Sequence, residues 1–323
     1  MDLRHFRTFV TIAEQRTVSK ASLRLRVAQP ALSRQIADLE AELGIRLFDR
    51  IRRRLVLTGE GERLLGDCRT ILGAVGSLTE RAQLLRRPDA GILKVAATPQ
   101  MIDGVFSTFL HHYAKRRPNV QIRLTEALGA TLLGMLERGE LHVGIGSMDA
   151  LQTDNHPFET LLLPPIQFLA AHKLSLELGK SKSMDVRTLE AQPLLLLDSS
   201  FVARQTFDAA CRLAGLRPNI FMESRAPHTL LALAEAGHGV AIVPDVLPTH
   251  RYRLRVVRLT HQGKPLVQPL AVLWDKRRAL PAYVEDFCTS FVAYMREIFP
   301  NSRPQIPKPG KRTIVSKRSI VSN

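Results

Sequence analysis

Along the first ninety residues the apolar positions fall into a series of distinct patterns. Leu3, Phe6, Val10 and Ala13 recur at three- and four-residue steps, which predicts an amphipathic helix. A short second helix is expected over Val18 to Arg24, with Ala21 and Leu23 turned inward. The turn Leu25–Ala28 then leads into a third helix, Gln29 to Glu40, with Pro30 in its first turn, where a missing N–H costs nothing. At about 100° per residue, Leu32, Ile36 and Leu39 share a narrow arc and face a core. Pro30, Ser33, Arg34 and Ala37 lie on the other side, with Gln29 at the helix start. Two short apolar runs follow, Leu47–Phe48 and Leu55–Leu57, flanking Arg50, Arg52, Arg53 and Arg54. That order predicts a β-hairpin with a basic tip.

From Thr58, placed to cap it, a long helix is expected to about Arg87, with Glu60 and Glu62 near its positive end. Leu64, Ile71, Leu78 and Leu85 are spaced by seven, and Cys68, Val75 and Ala82 fill the alternate seam positions. Three heptads of this kind have the pattern of a coiled coil. Pro88-Asp89-Ala90-Gly91 ends the helix and marks a domain boundary.

Beyond it, strand-like runs (Ile92–Ala97, Val120–Thr125, His142–Gly146) alternate with helical ones (Pro99–Arg116, Thr131–Arg138). After Pro164-Pro165 the alternation restarts, with strands Gln167–Ala171, Leu194–Asp198, Ile220–Glu223 and Val240–Val243 and helices Ala203–Ala214 and His228–Ala236. Such alternation argues for α/β layers with mainly parallel sheets. Near Gln268 the chain is expected to return to the first lobe through Pro269–Trp274 and a helix over Ala282–Ile298.

Charge changes the picture next. The chain has 323 residues and a formal net charge of +16. Residues 1–90 hold 17 Lys or Arg against 11 Asp or Glu, and residues 301–323 hold six against none. A positive surface suits a polyanion, because neutralising phosphates releases condensed counterions. An acidic membrane would satisfy it too, so charge alone selects no partner. Polar residues interrupt MDLRHFRTF, which excludes a signal-peptide core, and no apolar run approaches a membrane span. A cytoplasmic location is expected, with no membrane partner. The three cysteines, Cys68, Cys211 and Cys288, show no metal-binding spacing. Buried free thiols are expected, with neither metal nor cofactor.

Helix three and the hairpin together suggest chemistry. Small exposed residues let a helix sit deep in a major groove, where Arg34 can pair with guanine and Gln29 with adenine. A basic hairpin tip beside such a helix is a wing that grips phosphates. The candidate DNA-binding residues are therefore Gln29, Pro30, Ser33, Arg34, Arg50, Arg52, Arg53 and Arg54. The order of parts, carried by MDLRHFRTFVTIAEQ, VAQPALSRQIADLEAELGIRLFDR and LTGEG, resembles the LysR-type transcriptional regulators. Three positions depart from the family's usual pattern: Ala28 stands where a capping Ser is common, Ser22 replaces Ala, and Arg52 replaces Gly at the wing tip.

The resemblance implies a winged helix-turn-helix over 1–58, a dimerising linker helix over 59–90, and a two-lobed α/β effector-binding domain of periplasmic-binding-protein type over 91–300. The first lobe is expected to take about 91–163 and 268–300, the second about 164–267, with a basic and disordered tail over 301–323. It places a small-molecule effector between the lobes, near Thr98, Pro99, Gln100, Ser147, Ser200, Phe201 and His228. Thr98 and Pro99 also suit the cap and first turn of the helix that follows. Hydroxyls beside helix N-termini favour a small carboxylate. The linker seam then comprises Leu64, Cys68, Ile71, Val75, Leu78, Ala82 and Leu85. The implied partners are duplex DNA with inverted-repeat half-sites, the effector, RNA polymerase, and further copies of the chain as a homodimer and homotetramer. In the family GELDLAI is common, whereas here the run is Gly139-Glu140-Leu141-His142-Val143-Gly144-Ile145, and a lone His such as His142 is more often structural.

Other classes fare worse. An enzyme is unsupported, since GxSxG, GxxxxGK[ST] and HExxH are all missing. A solute receptor would need an export signal. A nucleoid protein would bind duplexes without preference, where a regulator discriminates by orders of magnitude. A redox sensor would need Cys211 and Cys288 to meet.

Overall fold

The computed structural model describes residues 1–51, 54–86, 90–151, 156–176, 178 and 181–300, with side chains for all of these but 50, 51, 54 and 83–86. The chain opens with three helices: α1 (Leu3–Gln15), α2 (Val18–Leu25) and α3 (Gln29–Leu43). Asp2 caps α1 by accepting from the Arg4 and His5 N–H groups, and Thr17 caps α2 through the Lys20 N–H. Ala28 stands at the N-cap of α3 without a side-chain hydrogen bond. Gly44, at φ +69°, ends α3 in the left-handed conformation that favours glycine.

The hairpin strands β1 (Phe48–Ile51) and β2 (Arg54–Leu57) pair antiparallel, Phe48 opposite Leu57 and Ile51 opposite Arg54. Phe9 and Phe48 meet edge to face with ring centroids 5.4 Å apart. Around them Phe6, Ile12, Ala21, Leu32, Ile36, Leu39 and Leu47 form one core. Leu23, expected inside, is 79% exposed. Val18 and Leu25 pack on the core beside Ala21, and Leu23, two residues on at about 200°, is carried to the outer face.

The long helix α4 (Gly59–Arg86) is capped as expected: Thr58 Oγ1 accepts from the Gly61 N–H at 2.9 Å. Its first turns belong to the N-terminal core, where Cys68 is buried and Leu64, Leu65 and Leu72 pack.

The effector-binding part begins with β3 (Gly91–Ala97), α5 (Pro99–Met101), a π-helical turn (Ile102–Phe106), α6 (Ser107–Arg116), β4 (Val120–Glu126), α7 (Gly129–Glu137), β5 (Val143–Ser147) and β6 (Phe158–Leu162). Then come β7 (Ile166–Lys173), β8 (Ser183–Asp185), β9 (Leu194–Leu197), α8 (Val202–Ala214), β10 (Ile220–Ser224), α9 (Pro227–Ala236) and β11 (Val240–Pro244). The last elements are β12 (Leu254–His261), β13 (Lys264–Pro265), β14 (Val267–Gln268), β15 (Leu270–Asp275) and α10 (Ala282–Ile298). One sheet runs β4-β3-β5-β15-β6 and another β10-β9-β11-β7-β12-β13.

The first sheet contains the expected parallel pairs β3–β4 and β3–β5. The second is mixed, because β7 runs antiparallel to both β11 and β12. Strands β6, β8 and β12 have no counterpart among the predicted elements. In β12, Arg255 and Arg258 interrupt the apolar pattern, and its alternation is that of a strand covered on one face only.

The chain divides into two compact units. One comprises Met1–Gly146, Ala150–Thr160 and Val272–Ser290, so the N-terminal domain, α4 and most of the first lobe belong together. The other comprises Ser147–Asp149, Leu161–Ala271 and the chain from Phe291 onward. The main crossings lie at 160/161 and 271/272, a few residues from the expected 163/164 and 267/268. The basic segment 301–323 lies outside the described residues.

Candidate functional site

Helix α3 buries Leu32, Ile36 and Leu39 and exposes Gln29, Pro30, Ser33, Arg34 and Ala37. Its outer face is thus a shallow surface of small side chains with one guanidinium, one amide and one hydroxyl. Inward, Gln35 Oε1 accepts from Thr8 Oγ1 at 2.5 Å, and Glu40 Oε1 accepts from the Leu47 and Phe48 N–H groups at 2.7 and 3.2 Å. The first bond holds α3 on α1, and the second pair fixes the hairpin to the end of α3. Gln29 Oε1 accepts from Ser19 Oγ at 3.3 Å, so α2 contributes a residue that orients the exposed amide at the start of α3. Sequence reasoning missed Ser19; its signal was the capping Thr17 two residues before it. Arg50 and Arg54 lie within the paired strands, opposite Leu55 and Ile51, and Arg52 and Arg53 lie outside the described residues.

The linker positions separate into two groups. Cys68 is buried in its own N-terminal domain, and the half-buried Leu64 packs against that core. Seven-residue spacing does not distinguish a helix packed on its own domain from one packed on another. Ile71, Leu78 and Ala82 are exposed, Val75 is half-buried, and the side chain of Leu85 lies outside those described.

The strand-end residues also differ from one another. Thr98 occupies the N-cap of α5, but its hydroxyl caps nothing; its carbonyl accepts from the Met101 and Ile102 N–H groups, each at 3.0 Å. Pro99 begins the helix as expected, and Gln100 is 4% exposed with no partner for its Oε1. Ser147 is engaged with Asp149, donating to Oδ2 at 3.3 Å and accepting from the Asp149 N–H at 3.1 Å. Ser200 donates from both backbone and hydroxyl to Asp198 Oδ1, and this hydroxyl bond, aided by Arg225 and Arg204, holds the Asp198 carboxyl below its usual range. Phe201 is buried at the N-cap of α8. His228 is half-buried, its Nδ1 3.0 Å from the Tyr252 hydroxyl and the two rings stacked.

Comparisons with known proteins follow this division of labour. The model of the bacterial regulatory helix-turn-helix protein, lysR family, matches residues 3–62, and that of the LysR substrate binding domain matches residues 86–296. The chain belongs to the LysR family. Relatives of this LysR-type regulator include the transcriptional regulators AlsR and BsdA of Bacillus subtilis (strain 168). AlsR is 32% identical over 76% of this chain and 81% of its own. BsdA is 30% identical over 90% of this chain and 100% of its own. Among solved structures, full-length CbnR complexed with its target DNA has a TM-score of 0.65 at 26% identity, covering 92% of this chain and 99% of that one. A full-length OxyR variant from Pseudomonas aeruginosa shares the fold, with a TM-score of 0.69 at 23% identity, covering 92% and 95%.

The protein is therefore a LysR-type DNA-binding transcription regulator with an effector-binding domain, not an enzyme. Other features of this LysR-type regulator escaped sequence reasoning. Arg204 is buried, donating to the Leu197 carbonyl at 2.8 Å, to Asp208 Oδ1 at 2.8 Å and to Glu223. It joins α8 to β9 and β10. Gln268 is also buried, with its Oε1 unpartnered. Among the described residues no cluster of three His, Cys, Asp or Glu could hold a metal, and no helix is long and apolar enough to cross a membrane.

Proposed function

We propose that α3 reads base edges of an inverted-repeat operator through Gln29, Ser33 and Arg34, and that Arg50, Arg52, Arg53 and Arg54 grip the flanking phosphates. The observation that carries this is the outward face of α3: small residues around one Arg, with the apolar residues at 32, 36 and 39 turned inward. Arg34→Ala should cost about 1–3 kcal/mol of discrimination between operator and random duplex, while Arg53→Ala should weaken both alike. Titration of matched and scrambled duplexes at fixed salt measures this. Equal losses on both duplexes for Arg34→Ala would remove α3 from base reading.

The effector is a small metabolite that carries a carboxylate together with a hydrogen-bond donor. A donor suits Gln100 Oε1, since a buried amide oxygen without a partner costs roughly 1–3 kcal/mol until one arrives. Calorimetry with a panel of hydroxy- and amino-carboxylates should find a binder, and Gln100→Leu should weaken it at least about tenfold without changing effector-free DNA binding. A panel in which only neutral, donor-free compounds bind would rule this out.

Two copies associate along α4, where Ile71 and Leu78 stand exposed. A second apolar surface supports a homotetramer: the edge strand β10 exposes Ile220, Phe221 and Met222 in succession, and Leu213 at the end of α8 is 75% exposed. The regulator works in the cytoplasm, where its duplex target lies, and meets RNA polymerase at the promoters it occupies. It needs no metal or other cofactor. Burial pushes the Cys211 thiol up to about 11 and the Cys288 thiol up to about 12, so neither offers the thiolate that peroxide attacks.

A further inference from the structure

Helices α3, α8 and α9 close on Gly44, Gly215 and Gly237, each in the left-handed region that favours glycine. Helices α1 and α2 close in the same conformation on arginine, with Arg16 at φ +57° and Arg26 at φ +55°. The Arg16 N–H donates to the Ile12 carbonyl at 2.8 Å, and the Arg26 N–H to the Ser22 carbonyl. Both caps use backbone atoms only, so glycine would make them without the steric cost of a Cβ. Among the described residues, the other non-glycine position with positive φ is Gln262, in the tight turn between β12 and β13.

A cation at the last turn of a helix gains from the helix dipole, which is one reason for an arginine there. The surroundings of these two supply another. Elsewhere in the N-terminal head arginines are held on carboxylates: Arg4 on Asp2 at 2.8 Å, Arg24 on Glu14 at 3.0 Å, and Arg69 on Glu14 at 3.5 Å. Arg16 and Arg26 are exposed, and neither guanidinium has an ion pair or a hydrogen bond among the described residues. Their places in the fold correspond. Ser19 Oγ donates to Gln29 Oε1 at 3.3 Å and joins the start of α2 to the start of α3. Arg16 lies three residues before Ser19, and Arg26 three residues before Gln29. Consecutive Cα atoms are about 3.8 Å apart, so each arginine Cα lies within about 11 Å of that of its residue in the bond. A duplex entered by α3 has its backbones at the edges of a groove about 12 Å wide, within reach of long side chains so placed.

We propose that Arg16 and Arg26 are phosphate contacts, additional to those of the hairpin, which grip the duplex backbone beside the start of α3. This rests on the reading of α3 as the helix that enters the groove. A guanidinium with no acidic neighbour can replace a counterion on phosphate, whereas Arg4, Arg24 and Arg69 are already neutralised. The unfavourable backbone conformation is retained because it carries a binding group. Neither contact reads a base, so both act on affinity and not on preference.

The test pairs thermal melts with salt titrations of the full-length protein on two duplexes. One is of mixed sequence, and the other is selected from a random library by the parent protein. Arg16→Gly and Arg26→Gly each remove a charge and relieve the backbone together. Each should leave the melting temperature unchanged or higher. Each should also flatten the slope of log affinity against log salt by about 0.9 for every head on DNA, and cost about fivefold per head near 0.15 M salt, on both duplexes alike. Arg16→Lys and Arg26→Lys keep the charge and should keep the slope. Parent-like slopes in both glycine variants would overturn the proposal, and a lowered melting temperature beside them would mark the arginines as caps alone. Lysine variants with the slope of the glycine variants would overturn it as well. Arg34→Ala, measured alongside, separates this proposal from the reading of α3. A lost preference there with parent-like slopes in the glycine variants removes only the two phosphate contacts, whereas an unaltered preference takes α3 out of the groove and the proposal with it.

Discussion

Asp245 follows directly on β11, where its Oδ1 accepts from the Gln167 N–H at 3.0 Å and its own N–H donates to the Gln167 carbonyl at 2.9 Å. Burial pushes its carboxyl up to about 6, only partly opposed by the backbone N–H groups of Gln167 and of Asp245 itself and by Arg258. A carboxyl that keeps its proton to higher pH when folded favours the fold below its unfolded value, near 4, and that contribution is lost as pH rises through 6. A rise of that size corresponds to roughly 3 kcal/mol, an upper bound for a group that retains some solvent contact. Asp245→Asn keeps the acceptor for Gln167 and removes the charge. It should raise stability at pH 8 by up to that amount, with the gain shrinking below pH 6 and gone near pH 4. Thermal melts of both proteins across that range measure it, and a gain independent of pH would mean that the charge is not the cause.

Among the elements, α4 combines three surfaces in one helix: a buried start in the N-terminal core, a face on which Ser77 and Glu80 bond to Arg278, His142 and Tyr283, and an exposed apolar stripe. Leu78 is 69% exposed on that stripe. Leu78→Glu should therefore leave the melting temperature of the isolated chain nearly unchanged while shifting sedimentation toward the monomer; a dimer that persists at low micromolar concentration would place the seam elsewhere. The stripe was legible in the sequence because Leu and Ile at seven-residue steps mark a helix face. The occupant of each stretch was not legible, since Leu64 and Cys68 continue the same spacing into the chain's own core. The face that carries Gly73, Ser77 and Glu80 left no sequence signal at all. Gly73, Ser77 and Glu80 have the composition of a solvated face, and their partners lie between 14 and 203 residues away in the chain. Helix α3 was the most legible element, because both its buried and its exposed residues repeat at 3.6. Thr98 was less so: a Thr before Pro matches a cap, but only the backbone angles decide whether its hydroxyl reaches an N–H. The direction of β7 was likewise hidden. Alternating strands and helices imply parallel neighbours, and nothing local marks a strand that enters a sheet from another lobe.

At the scale of the whole molecule, the excess of positive charge lies toward the two ends of the sequence. The excess is concentrated in residues 1–90 and 301–323, at +6 each, and the effector-binding part between them holds only the remaining +4 of the total +16. Under the proposed reading by α3 and the hairpin, the N-terminal excess meets phosphates and bases together and contributes to both affinity and preference. Residues 301–323 carry cations but no acidic residue and only three of the larger apolar types, Ile306, Ile314 and Ile320, apart from two Val, which leaves them an electrostatic role. Counterion release then separates the two contributions. Each phosphate neutralised adds about 0.9 to the slope of log affinity against log salt on B-form DNA, whatever the sequence. Deleting residues 301–323 should flatten that slope by the same amount on operator and random duplex and leave their ratio unchanged. Arg34→Ala should do the reverse, reducing the ratio with little effect on the slope beyond a single charge. A deletion that leaves the slope unaltered would show that these six cations do not meet phosphate, and one that reduces the ratio would mean that they contribute to reading the site.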